Sequence, residues 1–286
     1  MTRDIPEDKP LTPDSAEALP DRLAEREARE MPRSRAHLAI RDRGYVYRLS
    51  PAELETMHDI GEFRTVAIED LARRRYRDQA TFMQQDLRLL RAQRLVELRT
   101  VWTGPASKEL RVVVLTKLGK AILERHGQNT KEQALYAGFV KPAEVRHDAA
   151  IYRMFQAERE TIERAGGRVG RVVLDYELKR RVYSPLAKAK ALPPAEYARR
   201  QRQVAQANGL RVVHGKIPLP DLRIEYQTRD GEATRVDLEL ATHHYHGSHL
   251  QAKAEAGFKF YAADGAASRL SRVMEDREIT AVILSL

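Results

Sequence analysis

The 286-residue sequence contains no cysteine, so it can form neither disulfide bonds nor metal sites built on thiolates. It also lacks any apolar run approaching the roughly 18 residues that a membrane-spanning helix needs. Its first residues lack the apolar stretch of a secretory signal. From these absences we expect a cytoplasmic protein that has no membrane partner.

Acidic residues are too few to balance the basic ones: 41 Asp and Glu stand against 50 Lys and Arg, which gives a net charge of +9. This excess predicts a polyanionic partner, although charge alone does not separate DNA from RNA or a membrane surface. Apolar residues make up 42% of the chain, enough to build cores in two domains.

Residues 1–44 are predicted to form a disordered or polar helical tail, because large apolar residues are scarce there. The segment is interrupted by five prolines: Pro6, Pro10, Pro13, Pro20 and Pro32.

Residues 45–127 are predicted to form three helices, a β-hairpin and a further helix. In the third helix Met83, Leu87 and Leu90 recur at helical spacing and form an apolar stripe. Two runs rich in valine and leucine then bracket a turn at residues 104–109. This order predicts a winged helix-turn-helix domain.

The other face of the third helix is polar and suits duplex DNA. A helix in the major groove reads adenine with glutamine and guanine with arginine. The predicted base contacts are Gln79, Thr81, Gln84, Gln85 and Arg88. The predicted phosphate contacts are Arg73, Arg74, Arg75 and Arg77 before the helix, with Lys108 and Arg111 in the hairpin. The alternative is a solvated face on a module that docks a protein or forms a homodimer.

Residues 128–146 are predicted to be a connector, and residues 147–286 a second domain of mixed α and β structure. Its predicted elements are a helix, a strand, a basic insertion at 184–209, two strands, a helix and a last strand. The predicted fold class of the whole chain is therefore α+β.

Two carboxylates stand out in this second domain. An Asp-Gly turn at residues 230–231 predicts a hairpin, and side-chain alternation predicts Asp221 and Glu239 on one face of it. A helix predicted at 249–263 carries Lys253 and Lys259. Carboxylates are ligands that Mg²⁺ prefers, and a lysine can stabilise charge on a phosphodiester. The alternative is that these acidic residues form only the solvated face of a hairpin.

The order Pro220-Asp221, hairpin, Glu239-Leu240-Ala241 resembles the PD-(D/E)XK nuclease superfamily, whose core has the order αβββαβ. The resemblance implies catalytic roles for Asp221, Glu239 and Lys253. It also implies Mg²⁺ or Mn²⁺ held by Asp221, Glu239 and Glu158. Ala241 occupies the position at which the motif has a lysine, which leaves open whether this chain cleaves DNA.

A winged helix followed by such a core resembles the replication-relaxation family of bacterial plasmids and conjugative elements. The resemblance implies a duplex DNA-binding protein of a mobile element, acting in plasmid replication, relaxation or regulation, with a nuclease-fold domain that has lost activity or kept it. Two alternatives remain: an active Mg²⁺-dependent DNA endonuclease or nickase, and a non-catalytic assembly factor that binds a protein partner.

Two local features suggest chemistry that we do not assign. Residues 243–249 contain four histidines, but neighbouring strand positions point to opposite faces, so a solvated loop is favoured over a zinc site. Contacts to phosphate, or proton transfer by His243, are the functional alternatives. Trp102 is predicted to pack in the core rather than to stack on a base.

Overall fold

The computed structural model describes residues 37–102, 109–126, 133–242, 247–262, 267–275 and 283–286. Every described residue belongs to one compact unit, residues 37–286, which is the second of two units in the chain. Within these ranges the fold is a mixed α+β fold, and none of their helices is both long and apolar enough to cross a membrane.

The second unit opens with an antiparallel hairpin of β1 (Leu38–Asp42) and β2 (Tyr45–Leu49). Its turn has positive φ at Arg43 and Gly44. The tail predicted for residues 1–44 therefore extended too far, because exposed and buried residues alternate along both strands and give the hairpin an inner face.

A helical region with a small sheet follows, in which the predicted helices and hairpin occur in the predicted order, with the unpredicted strand β3 between the first two helices. The sheet has the order β3-β5-β4, with antiparallel pairing throughout. Its elements are α1 (Pro51–Glu62), β3 (Val66–Ala67), α2 (Ile68–Arg74), α3 (Ala80–Ala92), β4 (Val96–Val101), β5 (Leu110–Leu115) and α4 (Lys117–His126).

The predicted apolar stripe of α3 is confirmed, because Met83, Leu87 and Leu90 are all buried. The start of α1 is fixed by a capping box, in which the Glu53 amide donates to the Ser50 hydroxyl and the Ser50 amide donates to the Glu53 carboxylate.

The rest of the unit is built on a five-stranded sheet of order β10-β9-β8-β7-β6. Strands β6 to β8 pair antiparallel, and β8, β9 and β10 pair parallel. The elements are α5 (Pro142–Arg164), β6 (Arg168–Leu174), α6 (Asp175–Lys188), α7 (Pro194–Ala207), β7 (Leu222–Gln227), β8 (Ala233–Ala241), α8 (Gly247–Glu255), β9 (Lys259–Ala262), α9 (Ala267–Glu275) and β10 (Ile283–Ser285).

Several elements here differ from prediction, and neither strand β9 nor helix α9 was predicted. The helix predicted at 249–263 ends at Glu255, and Lys259 lies on strand β9. Gly257 has a φ of +88°, which ends a helix in a left-handed residue, and the Phe258 amide donates back to the Lys253 carbonyl. Helix α6 was not predicted, although its buried Leu178, Val182 and Leu186 recur at helical spacing.

Helix α5 joins the helical region to the sheet. The ring of Phe63, just after α1, lies 5.1 Å from that of Tyr152 and 5.0 Å from that of Phe155 on α5. Arg153 of α5 also pairs with Asp70 of α2 at 3.2 Å. One hydrophobic core therefore runs through the described residues from α3 to the large sheet.

Candidate nucleic-acid interface and carboxylate site

The predicted carboxylate pair lies at one end of strands β7 and β8. Leu222 pairs with Leu238, so Asp221 stands across from Glu239, one residue before β7 begins. The Leu240 amide donates to Asp221 Oδ2 at 2.9 Å. The structure thus brings together the two residues that the sequence analysis singled out.

Glu239 is fully buried and forms an ion pair with Lys253 of α8. Lys253 is therefore beside the carboxylates, as predicted, but it neutralises Glu239 directly. A buried carboxylate needs such a partner, because transferring an isolated charge out of water is very costly.

Asp221 is paired with a residue that the sequence analysis missed. His147, near the start of α5, has its Nε2 3.5 Å from Asp221 Oδ1 and its Nδ1 3.5 Å from Asp148 Oδ1. Burial alone would lower the pKa of His147, but the two carboxylates outweigh burial and raise it to about 10. Burial has the opposite effect on a carboxyl group and would raise the pKa of Asp221. The hydrogen bond and charge of His147 nevertheless hold the pKa of Asp221 below its ordinary value.

Glu158 does not join this pair. It accepts a hydrogen bond from the Tyr261 hydroxyl at 2.7 Å and pairs with Lys259 at 2.6 Å. Tyr261 is the register partner of Leu240, which points to the opposite face of β8 from Glu239. Glu158 therefore lies on the other face of the sheet, and its expected role as a third metal ligand is corrected.

As arranged, the donor groups do not fit Mg²⁺ or Mn²⁺. Mg²⁺ keeps several of its waters when a protein binds it, but Glu239 has no accessible surface and is already neutralised by Lys253. Asp221 is neutralised by His147, and the described ranges contain no group of three or more His, Cys, Asp or Glu able to hold a metal.

The polar face of α3 is open. Of the predicted base contacts, Thr81, Gln84, Gln85 and Arg88 are exposed, and Gln79 is half-buried. Since the opposite stripe of α3 is packed in the core, this face is presented by a helix that is held in place.

The arginines before α3 divide into two groups. Arg73 and Arg77 are exposed, as is Arg111 on β5. Arg74 instead forms an ion pair with Glu160 of α5, and Arg75 binds two acidic residues of α1.

Arg75 contacts Glu55 at 2.5 Å and Asp59 at 3.4 Å, and its Nε donates to the Thr56 hydroxyl at 3.2 Å. We therefore correct the predicted role of Arg75 from phosphate contact to ion pair within the protein, whereas the pair of Arg74 with Glu160 lies at the surface and the phosphate contact of Arg74 stays a prediction. Lys108 and residues 243–246 lie outside the described residues.

Trp102, at the end of β4, is 70% exposed, so its predicted place in the core is wrong. The hairpin of β4 and β5 packs into the core without Trp102, because its strands bury Val101 and Val112. It stands at the base of the turn that the sequence analysis placed at the DNA.

Next to Asp221 a cleft of 890 Å³ opens between α6, α7, residues 213–219 and the start of α8. Its lining contains the lysines Lys179, Lys190, Lys216 and Lys253 and the tyrosines Tyr183 and Tyr197. The sequence signalled this cleft only through the basic composition of residues 184–209. Its other wall was not foreseen, because helix α6 was not predicted.

No family model matches the chain, so the resemblance to the replication-relaxation family gains no support there, and no curated protein matches either. Among solved structures, the chain is similar to the structure of restriction endonuclease FokI. The identity is 12%, the match covers 82% of this chain and 68% of that one, and the TM-score is 0.24.

Proposed function

We propose that the chain is a duplex DNA-binding protein in which α3 enters the major groove. The observation that carries this proposal is the exposed face of Thr81, Gln84, Gln85 and Arg88 on a helix whose other face is buried. Amide and guanidinium groups are those that pair with adenine and guanine edges in that groove.

The elements around α3 support the proposal. The order of helix, strand, two helices and hairpin, with the strand order β3-β5-β4, is the one expected of a winged helix and supports that assignment. Exposed Arg73 and Arg77 precede α3, and exposed Arg111 lies on the hairpin, where they suit phosphate contact on either side of the groove.

For the second half we propose a PD-(D/E)XK-like sheet that serves binding. Its antiparallel strands β6 to β8, followed by a helix and a parallel strand, support this comparison. Glu239 and Asp221 are both neutralised by side chains of the chain itself, which favours a degenerate site. A role on a bacterial mobile element belongs to the same proposal and rests on the resemblance alone.

The test is selection of a preferred duplex from a random pool, followed by fluorescence anisotropy with wild type and variants. Arg88→Ala should weaken binding to the selected site by about 1–3 kcal/mol and relax the preference at one base pair, as loss of a base contact does. Arg180→Ala, which removes an exposed arginine of α6, is the control. If Gln84→Ala and Arg88→Ala both bind as wild type does, the assignment of α3 is wrong.

A metal-dependent endonuclease is the competing candidate, because Asp221 and Lys253 both line the 890 Å³ cleft, but it requires the ion pair of Lys253 with Glu239 to open before a metal can bind. Supercoiled plasmid incubated with Mg²⁺ or Mn²⁺ would be nicked or linearised, and Asp221→Ala would stop this. A wild-type protein that is inert with both metals would end this candidate and leave the binding proposal intact.

A further inference from the structure

We infer that the cleft beside Asp221 binds a single strand of DNA, with bases stacking on Tyr183 and phosphates held by the lysines of both walls. The inference rests on the proposed function, in that it takes DNA to be the partner. It adds a second binding mode that uses none of the residues of α3.

The size of the cleft favours one strand over two. Its volume of 890 Å³ lies within the roughly 300–1,000 Å³ of sites that hold small molecules. Such a space admits a few nucleotides of one strand, whereas a duplex is too thick to enter.

One wall is a face of α6 with alternating charge and aromatic surface. Lys179 and Tyr183 are four residues apart, so they lie on one face at about 6 Å along the helix axis. Tyr183 is 53% exposed, and Lys190 lies beyond it on the same wall. Lys179 pairs with Asp175 at the surface, a contact that a phosphate can replace at little cost.

The facing wall is a preformed turn. The Val213 amide donates to the Lys216 carbonyl at 2.7 Å, and the Lys216 amide donates to the Val213 carbonyl at 2.9 Å. His214 and Gly215 between them have positive φ, as tight two-residue turns require. The Gln201 side chain of α7 donates to the Gly215 carbonyl at 2.8 Å and fixes the turn. Exposed Lys216 is thus presented to the cleft by a fixed backbone.

This combination is the one that single strands need. Sequence-tolerant binding of a single strand uses a cationic groove with aromatic rings on which bases stack. A site for a small anion would need no exposed aromatic ring. The lysines and Tyr183 of these walls provide both parts.

The test measures the fluorescence anisotropy of a labelled twelve-nucleotide thymidine strand with the intact chain, without divalent metal, at two salt concentrations. Tyr183→Ala should weaken binding about 5- to 150-fold, the range for loss of a stacking aromatic residue. Tyr183→Phe, which keeps the ring, should stay within twofold of wild type. Lys190→Ala and Lys216→Ala should weaken binding and lower its salt dependence.

Lys188→Ala removes an exposed lysine of the same helix that lies outside the cleft and is the matched control. Equal affinities of wild type and Tyr183→Ala, or a loss as large in Lys188→Ala as in Lys216→Ala, would overturn the inference. A selected hairpin duplex is titrated in parallel. Loss of duplex binding in Arg88→Ala tests the proposed function, and loss of single-strand binding in Tyr183→Ala tests the present inference. A failure of one proposal can therefore be told from a failure of the other.

Discussion

Lys253 of α8 and Glu239 of β8 form an ion pair at the base of the cleft, with Glu239 wholly inaccessible to water. A pair of this kind contributes little compared with apolar residues of the same size, but leaving one member alone is strongly destabilising. The same two residues were predicted to be catalytic. Their contribution to the free energy of unfolding can be measured whether or not the protein has an activity.

We predict that Lys253→Met lowers the free energy of unfolding by about 3–5 kcal/mol, because it leaves the Glu239 carboxylate buried without its cation. Urea denaturation measures this, with Lys188→Met as the control at an exposed lysine. Adding Glu239→Leu to Lys253→Met should recover most of the loss. A double variant no more stable than the single one would show that the pair is not the cause.

Arg73 and Arg77 are exposed, whereas Arg75 is held in ion pairs. We therefore predict that replacing them has different effects on the salt dependence of duplex binding. Replacing Arg73 or Arg77 with alanine should reduce the slope of log affinity against log salt by about 0.9 each, the value for one phosphate contact on B-DNA. Arg75→Ala should leave that slope unchanged. Instead it should lower stability by roughly 1–3 kcal/mol, because Asp59 loses its partner. A slope reduced in Arg75→Ala would restore the prediction made from sequence.

Glu62 at the end of α1 makes stability depend on pH. Burial, and then the nearby charge of Asp59, raise the pKa of Glu62 to about 7, although Arg159 opposes the shift. Because its folded pKa lies above its ordinary 4.5, the folded state binds the proton more tightly, and stability falls as pH rises from about 4.5 to about 7.

Glu62→Gln should match wild type below pH 4.5 and exceed it above pH 7 by up to about 3 kcal/mol. Urea unfolding across that range measures the difference, and Glu69→Gln, at an exposed carboxylate of α2, should show none. Parallel pH profiles for wild type and Glu62→Gln would contradict the prediction.

Trp102 is the single tryptophan of the chain and is exposed beside the hairpin turn, which makes it a reporter. If the hairpin lies against the duplex, titration with the selected duplex should quench the intrinsic emission or shift it to the blue. Trp102→Phe supplies the background signal. Unchanged emission at concentrations where anisotropy shows full binding would place the hairpin away from the DNA.

The sequence predicted best those elements whose pattern is local. The stripe of α3 and the hairpin of β7 and β8 follow from spacing and one Asp-Gly turn. Asp221 and Glu239 could be paired for the same reason, since register continues from a known turn.

The remaining features depend on tertiary contacts. That Arg75 binds Glu55 and Asp59 depends on the packing of α1 against the end of α2, which residue type does not reveal. The contact of His147 with Asp221 joins residues 74 positions apart (221 − 147 = 74). Glu158 was placed at the site by resemblance, and only the register of β8 with β9 shows that it faces the other way.

The aromatic contact of Phe63 with Tyr152 and Phe155 restricts how such a chain can be rearranged by recombination. A gene fusion that exchanged the helical region before α5 for another would also remove the ring that packs on Tyr152 and Phe155. The replacement would need an equivalent aromatic residue at the matching place. Although each half is built from elements of its own, the two must match in size where Phe63 meets Tyr152 and Phe155.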